Sequence, residues 1–490
     1  MQITLIGHDY RYAAEQMLLT LFPGEKPGTG GNTLTLSLSK GPVWLTARAV
    51  LVYEGKRYVK SRRARTSALT GGLQDDRVCQ RILKLAFYDA GVPALGREPP
   101  WGAITGVRPV KIPTKAMEWG ASPARAEREL RDVYRVSPIR RRLAMDCAGA
   151  ALAAKRSLKP GEVSLYVGIP FCPSRCVYCS FVSADVKGCL PLVEPFLDGL
   201  CRETAALGAV LRKTGCSVRT VYIGGGTPTT LSPEQLERLL SVMEAELPLG
   251  SCTEFTVEAG RPDTISRAKL AVLSAHPLVD RVSVNPQSLE AAALDAIGRP
   301  HTPGDIQNAY ALVRQAGTLS VNMDLIAGLP ADSVEGFTRS LGGVLALEPE
   351  NVTVHTLALK KGSRLMEEGG ALPGAADVEA MLDRAWDTLR GKGYAPYYLY
   401  RQKYMSGSFE NVGWARPGYV SLYNIAMMEE LHTILALGGG GVTKLVWPET
   451  GKIERVANPK YPQEYLRDVD KICGEKEALA PFLLSLKGSV

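Results

Sequence analysis

The chain has no run of eighteen apolar residues, so no membrane-spanning helix is expected. It has no internal repeat and no low-complexity tract, which sets aside solenoids and disordered linkers. Its opening, MQITLIGHDYRYAAE, meets Asp9 and Arg11 too early to contain the apolar core of a signal peptide. A cytoplasmic location is therefore expected, where thiols stay reduced and the ten cysteines are not disulfide partners. Histidine is scarce, with five in 490 residues. His301 and His355 fall at the ends of strands or loops, where a cavity-facing or a packing role fits; His8, His276 and His432 read as structural.

Other features are plentiful. Hydrophobic residues make up 45% of the chain, enough for two or three cores. Net charge is +8, and the excess is dense in KRYVKSRRARTS (56–67) and in Arg140-Arg141-Arg142. Such runs are either a solvated face or a surface for nucleic acid or an acidic partner, for example a small electron carrier. Alternation in TLTLSLS (33–39) and WLTARAVLVYE (44–54) predicts a small sheet near the start. A helix is expected over Asp75–Ala90, stopped by Gly91 and Pro93, a second after Ser122, and a third over Met145–Leu158. Lys159-Pro160-Gly161 marks a boundary.

Beyond it the rhythm changes. Six apolar runs, VSLYVGI (163–169), VRTVYIG (218–224), TEFTVEA (253–259), RVSVNP (281–286), LSVNMDLIAG (319–328) and NVTVHTL (351–357), alternate with helical stretches. One of these, PEQLERLLSVMEAE (233–246), is opened by Ser232 as N-cap and Pro233 at the first helical position. Six such units predict an α/β fold, a parallel sheet curled as a partial (β/α)6 barrel with its working groups at the C-terminal strand ends. An α+β domain precedes the barrel (1–158, then barrel 159–375), and another α+β domain follows it (376–490) and closes the cavity.

Immediately after the first barrel strand stands GIPFCPSRCVYCSF (168–181). Three thiols, Cys172, Cys176 and Cys179, occupy eight residues, and nothing nearby supplies a fourth. A zinc site needs four ligands, usually in two separated pairs. Three thiolates on a [4Fe–4S] cluster leave one iron open for an added ligand. Inert buried cysteines are the alternative, but Pro170 and Pro173 make this a loop rather than a core helix. The second strand ends in GGGTPT (224–229), where glycines admit close approach to a ligand, or simply make a tight turn.

The C-x-x-x-C-x-x-C loop and the GGGTPT turn, in this order, resemble the radical S-adenosylmethionine (SAM) superfamily. YVGIPFC (166–172), IGRPHT (297–302) and MDLIAGLP (323–330) resemble its oxygen-independent coproporphyrinogen III oxidase group. WGAITGVRPVKI (101–112), VEAGRPDT (257–264), YYLYRQKYM (397–405) and ENVGWARPG (410–418) resemble the HemZ branch of that group. The resemblance implies a [4Fe–4S] cluster on Cys172, Cys176 and Cys179, and SAM bound at its open iron. It implies that Tyr166 packs near the sulfonium and takes part in catalysis. Gly225, Gly226 and Thr227 match SAM-contacting positions, as do Glu258, Gln287, Arg299 and Asp324. Read alone, Glu258 equally caps a helix, Arg299 and Asp324 equally form a rim ion pair, and Tyr178 either stacks on adenine or packs the loop.

The implied reaction is reductive SAM cleavage to a 5′-deoxyadenosyl radical that takes hydrogen from the propionates of coproporphyrinogen III, leaving vinyls. The implied partners are that porphyrinogen and a low-potential donor, flavodoxin or ferredoxin; a monomer is expected, with no nucleic acid. The tetra-anionic substrate calls for basic residues at the cavity mouth, for which Arg175, Arg261 and Arg401 are candidates. Some positions depart from the group. Phe181 replaces a further cysteine, Gly168 a histidine, and Glu-Ala-Gly-Arg-Pro an E-x-N-P or E-x-D-P motif; Asn285-Pro286 stands where relatives have Gly-Val. Heme-chaperone cousins carry His-Asn where Tyr423-Asn424 stands. The rival reading is a heme-trafficking protein that keeps the cluster; a third is a radical SAM enzyme with another substrate.

Overall fold

The computed structural model describes residues 1–179, 184–317, 319–359, 362–368, 371–402 and 408–488; Phe181 lies outside them. By compactness the chain divides into two units, Met1–Met145 with Tyr400–Glu410, and Asp146–Leu399 with Asn411–Val490.

In the first unit β1 (Gln2–Ile6), β2 (Thr33–Lys40), β3 (Trp44–Tyr53) and β4 (Lys56–Arg65) form one sheet in that order. β1 and β2 are parallel, joined through α1 (Arg11–Leu21); the other pairs are antiparallel. Alternation sends Leu34, Leu36, Leu45, Ala47, Ala49 and Leu51 to one face, where they are buried in one core with residues of α1 and of α2 (Leu73–Leu95). α2 does not stop at Gly91 and Pro93 as expected. It runs to Leu95 and ends on Gly96, in the left-handed region at φ 74°, whose N–H donates to Val92 O at 2.9 Å. Gly91 serves close packing instead, since a Cβ there would lie 2.6 Å from Leu21 Cδ1 of α1. The helix after Ser122 forms as Pro123–Arg128, and the next starts earlier than expected, at Pro138. Arg140 is not part of a solvated basic face. It is 1% exposed and pairs with Glu410 at 2.9 Å.

The second unit contains the six strands expected from the alternating pattern. They are β5 (Glu162–Ile169), β8 (Ser217–Gly225), β9 (Glu254–Glu258), β10 (Arg281–Ser283), β11 (Ser320–Ala327) and β12 (Asn351–Thr356); the short β6 (Phe171–Cys172) and β7 (Ala184–Asp185) pair with each other. The six lie side by side in chain order, all parallel, with helices between. β5 and β12 stand at opposite ends of this row, so it does not close on itself. The row is extended at both ends. β14 (Glu410–Ala415) pairs antiparallel with β12 and is flanked by β13 (Ala395–Arg401). β15 (Ile434–Gly438) pairs parallel with β5, and β16 (Val442–Val446) and β17 (Ile453–Ala457) follow as a hairpin, giving eleven strands. The strands of the region expected to form a separate C-terminal α+β domain thus lie in the same sheet as the six. The helix 233–246 has the expected Ser232 cap, completed by Gln235 as a reciprocal capping box.

A buried polar knot fixes the end of β15 beside β5. Glu203 accepts from Gly438 N at 2.8 Å and from Tyr465 Oη at 2.6 Å, and pairs with Lys476 Nζ at 3.1 Å. Asn458 Nδ2 bridges Glu203 Oε1 and Gly438 O, at 2.8 and 2.9 Å. Every charge in the knot has a partner, as a fully buried pair requires. Among the described residues no helix is long and apolar enough to cross a membrane.

Candidate active site

The cysteine loop and the glycine turn are joined through their backbones. Gly226 N donates to Ile169 O and Thr227 N to Phe171 O, both at 2.7 Å. Thr227 is buried, and its Oγ1 lies 3.5 Å from Cys172 Sγ. The glycines are required for this contact. A Cβ on Gly226 would sit 2.4 Å from Phe171 O and 3.0 Å from Cys172 Sγ. Gly225 adopts φ 110°, and a Cβ there would lie 2.9 Å from Ile169 O. The close approach read from sequence as room for a ligand is thus first an approach to the chain's own cysteine loop. Further on, Val177 N donates to Ile297 O at 3.1 Å and Val177 O accepts from Leu365 N at 2.9 Å. Tyr178 packs the loop against Ala293, Leu294, Ile297, Leu329 and Leu357. Gly168, at the family's histidine position, faces β15: a Cβ there would lie 2.3 Å from Gly439 O.

Polar side chains gather along the neighbouring strands. Tyr166 on β5 and Tyr222 on β8 are register partners with rings 6.4 Å apart and 16° from parallel. Tyr423 also stacks on Tyr222, at 4.7 Å and 18°. Tyr222 donates its hydroxyl to Glu258, the last residue of β9, so Glu258 caps no helix. Burial raises the Glu258 carboxyl to about 7; the Tyr222 bond opposes the rise and the Asp324 charge adds to it. Burial likewise pushes the Tyr166 phenol up. Asp324 pairs with His355 at 3.5 Å, not with Arg299, and accepts from Asn322 Nδ2 at 2.7 Å. Burial works against its charge, but His355 and Asn322 outweigh it and hold the carboxyl below its ordinary range.

Arg299 is 7% exposed. It donates to Gly260 O at 3.1 Å and to Tyr178 Oη at 3.4 Å, and its Nε–H has no partner. Asn285 Oδ1, whose amide nitrogen faces Gly260, is also buried and unsatisfied. Gln287 sits in the left-handed region at φ 66°, clamped by Gln287 N to Asp324 O and Ile326 N to Gln287 O, both 2.9 Å. Of the three basic candidates, Arg261 is buried, pairs with Asp263 at 3.0 Å and donates to Ser174 Oγ of the cysteine loop at 3.0 Å, whereas Arg401 belongs to the first unit, where it donates to Ser408 O at 2.8 Å and lies over Trp101. Arg175 is exposed and donates to Gly362 O at 2.6 Å. His355 is the histidine that joins this cluster. His301 is buried 3.4 Å from Pro286 O, and His432 bonds Ser164 at 2.7 Å. Sequence reasoning missed Tyr222 and Asn322. Strand alternation carried the signal for Tyr222, because it shares a face with Gly224.

Among the described residues no three His, Cys, Asp or Glu side chains are drawn together to hold one metal ion. A structural zinc site takes four ligands, one more than the three cysteines this loop supplies. An iron–sulfur cluster takes its thiolates on separate irons. Three cysteines wrapped on one loop, beside a buried cation with an unused donor, suit that larger anionic group.

The raised carboxyl makes a pH prediction. Between its unfolded value of 4.5 and about 7, Glu258 is ionised in the unfolded chain but protonated in the folded one. The stability this gives is complete below 4.5 and is lost as pH rises to about 7. Glu258→Gln cannot titrate. Relative to wild type, the variant should therefore gain up to roughly 3 kcal/mol across this window, measured by urea unfolding. A difference independent of pH would contradict the buried carboxyl.

Comparison with known proteins places this arrangement. Residues 166–341 match the model of the radical SAM superfamily. The oxygen-independent coproporphyrinogen-III oxidase-like protein HemZ of Bacillus subtilis is 42% identical over 381 residues, covering 77% of this chain and 76% of that protein. The heme chaperone HemW of Escherichia coli is 29% identical over 63% of this chain and 77% of that one. Among solved structures, coproporphyrinogen III oxidase (HemN) from Escherichia coli, a radical SAM enzyme, shares the fold at TM-score 0.50 and 21% identity, over 68% of this chain and 78% of that one. Membership of the superfamily implies a [4Fe–4S] cluster and SAM. The chain belongs to the radical SAM superfamily, in the HemZ branch of the oxygen-independent coproporphyrinogen III oxidase-like group.

Proposed function

We propose that the protein oxidatively decarboxylates propionate side chains of coproporphyrinogen III to vinyls, forming protoporphyrinogen IX. Each event removes one hydrogen atom, one CO2 and one electron, the electron passing to a one-electron acceptor distinct from the low-potential donor. Cys172, Cys176 and Cys179 would hold the cluster, and Tyr166, Tyr178, Gly225, Gly226, Thr227, Glu258, Gln287, Arg299 and Asp324 would form the SAM pocket. When bound and reduced by a low-potential carrier, flavodoxin or ferredoxin, this pair supplies hydrogen abstraction from an unactivated carbon. The residues bind and orient. Arg299 has the unused, buried N–H that a carboxylate would take. Glu258, poised near neutrality and steered by Tyr222, would ionise on meeting an ammonium. The stacked Tyr166, Tyr222 and Tyr423 rings would form an apolar wall beside the bound pair.

The observation that carries this reading is the unsatisfied Arg299 beside the joined cysteine loop and glycine turn. The likeness to HemZ supports the substrate. The likeness to HemW supports heme trafficking instead. Against trafficking, Tyr423 offers no imidazole, and its phenol is buried against Tyr222. The test is anaerobic: reconstituted protein, SAM, reductant and coproporphyrinogen III. The expected products are 5′-deoxyadenosine and protoporphyrin. Deoxyadenosine without decarboxylation would point to another substrate. Stoichiometric heme uptake with neither product would overturn the proposal in favour of trafficking.

A further inference from the structure

The sheet of the first unit has helices on one face only. The other is open, and its charge is one-sided. Register places Arg48 of β3 and Arg57, Arg63 and Arg65 of β4 on that face, and all four are exposed. Arg63 lies diagonally across from Arg48, about 7–8 Å away for such a pair. Arg65 lies over the ring of Trp44, 42% exposed at the rim, at 5.7 Å. The remaining outward positions are Ser, Thr, Val, Gln and Ile, and none is acidic. The contrast within β4 is informative. Arg62, on the helical side, is neutralised by Asp89, whereas the four outward arginines have no carboxylate partner among the described residues. Four like charges on neighbouring strands repel one another, and nothing in the fold needs them there.

We infer that this open face docks an acidic electron-carrier protein. The assignment rests on the proposed need for a carrier-delivered electron. Charge complementarity sets the sign of the partner, and the guanidinium fork suits carboxylates. The shape argues for a folded protein. The face runs roughly 27 Å from Arg57 to Arg65 and about 14 Å between its outer strands, about 380 Å², the scale of the small interfaces, under about 600 Å² per partner, that transient electron-transfer complexes use. Single-stranded nucleic acid takes a groove lined by several stacking aromatics, and here there is one, at the edge.

The test is binding of oxidised flavodoxin to the full chain, read on its flavin fluorescence. Arg48, Arg57, Arg63 and Arg65 are changed together to Gln. The dissociation constant should rise about tenfold or more in the variant, and about as much for wild type between 50 and 300 mM salt. Salt dependence in the unaltered chain keeps the test valid should the variant fold poorly. SAM cleavage driven by dithionite, which needs no docking, should stay within about twofold of wild type. Equal flavodoxin affinity in variant and wild type, or salt-independent binding, overturns the proposal. So does tighter binding of a uridine homopolymer through the same arginines. Failure of dithionite-driven cleavage in wild type would count against the radical reaction, while the binding result would still decide the docking face.

Discussion

Gly226→Ala is expected to leave the protein folded but unable to keep its cluster. The methyl group would enter a space already filled, 2.4 Å from Phe171 O and 3.0 Å from Cys172 Sγ. Both obstacles are constrained. Phe171 is fully buried, its ring packed edge-on to Phe196 at 5.3 Å, and its carbonyl is held by Thr227 N. The turn must therefore withdraw from the loop, at a cost of about 3 kcal/mol, the upper end of overpacking penalties. Withdrawal breaks the two 2.7 Å bonds that set the loop's path after β5. The core under the sheet lies elsewhere, so the far-ultraviolet circular dichroism should be unchanged. Iron bound after anaerobic reconstitution should fall by about tenfold, the equivalent of 1.4 kcal/mol or more lost from the site. Full iron content in the variant would show that the turn does not seat the loop.

Arg299→Met should do the reverse, leaving iron in place while SAM binding collapses. The side chain keeps its apolar length and loses the guanidinium. A charge-assisted bond of this kind is worth about 2–3 kcal/mol, so affinity for SAM should fall roughly 30- to 150-fold. The cluster would still have its three thiolates, and iron content should change by less than about twofold. Equilibrium dialysis with labelled SAM, beside an iron assay on the same sample, separates the two quantities. Unchanged SAM affinity would place the carboxylate anchor elsewhere; Asn285 and Gln287 are then the nearest polar alternatives.

Some of this was legible without coordinates, and the reasons differ from case to case. The six strands and their order were readable because buried parallel strands are short, β-branched and punctuated by turns. The cysteine loop and glycine turn were readable because each is a local signal, and their chain order follows the order of the strands. What failed was contact between distant segments. The seating of Gly226 against a carbonyl fifty-five residues earlier leaves no trace in the local sequence. Gly91 and Pro93 were read as a stop, whereas Gly91 is a packing point for α1. The basic run suggests surface charge at Arg140, and the anionic substrate suggests a cavity-mouth cation at Arg401, yet both are buried in the first unit, because Glu410 and a set of carbonyls draw them in. The pairing of Asp324 with His355 was not predictable either, because it depends on which residues of β11 and β12 face each other.

The most direct test of the account is iron and sulfide analysis of anaerobically reconstituted wild type beside Cys176→Ala, with SAM cleavage measured on both. The account predicts about four irons and four sulfides per chain for wild type, as one cubane requires. The variant should hold little of either and form no 5′-deoxyadenosine. A Cys176→Ala protein that keeps full iron and cleaves SAM at the wild-type rate would contradict the account at its centre.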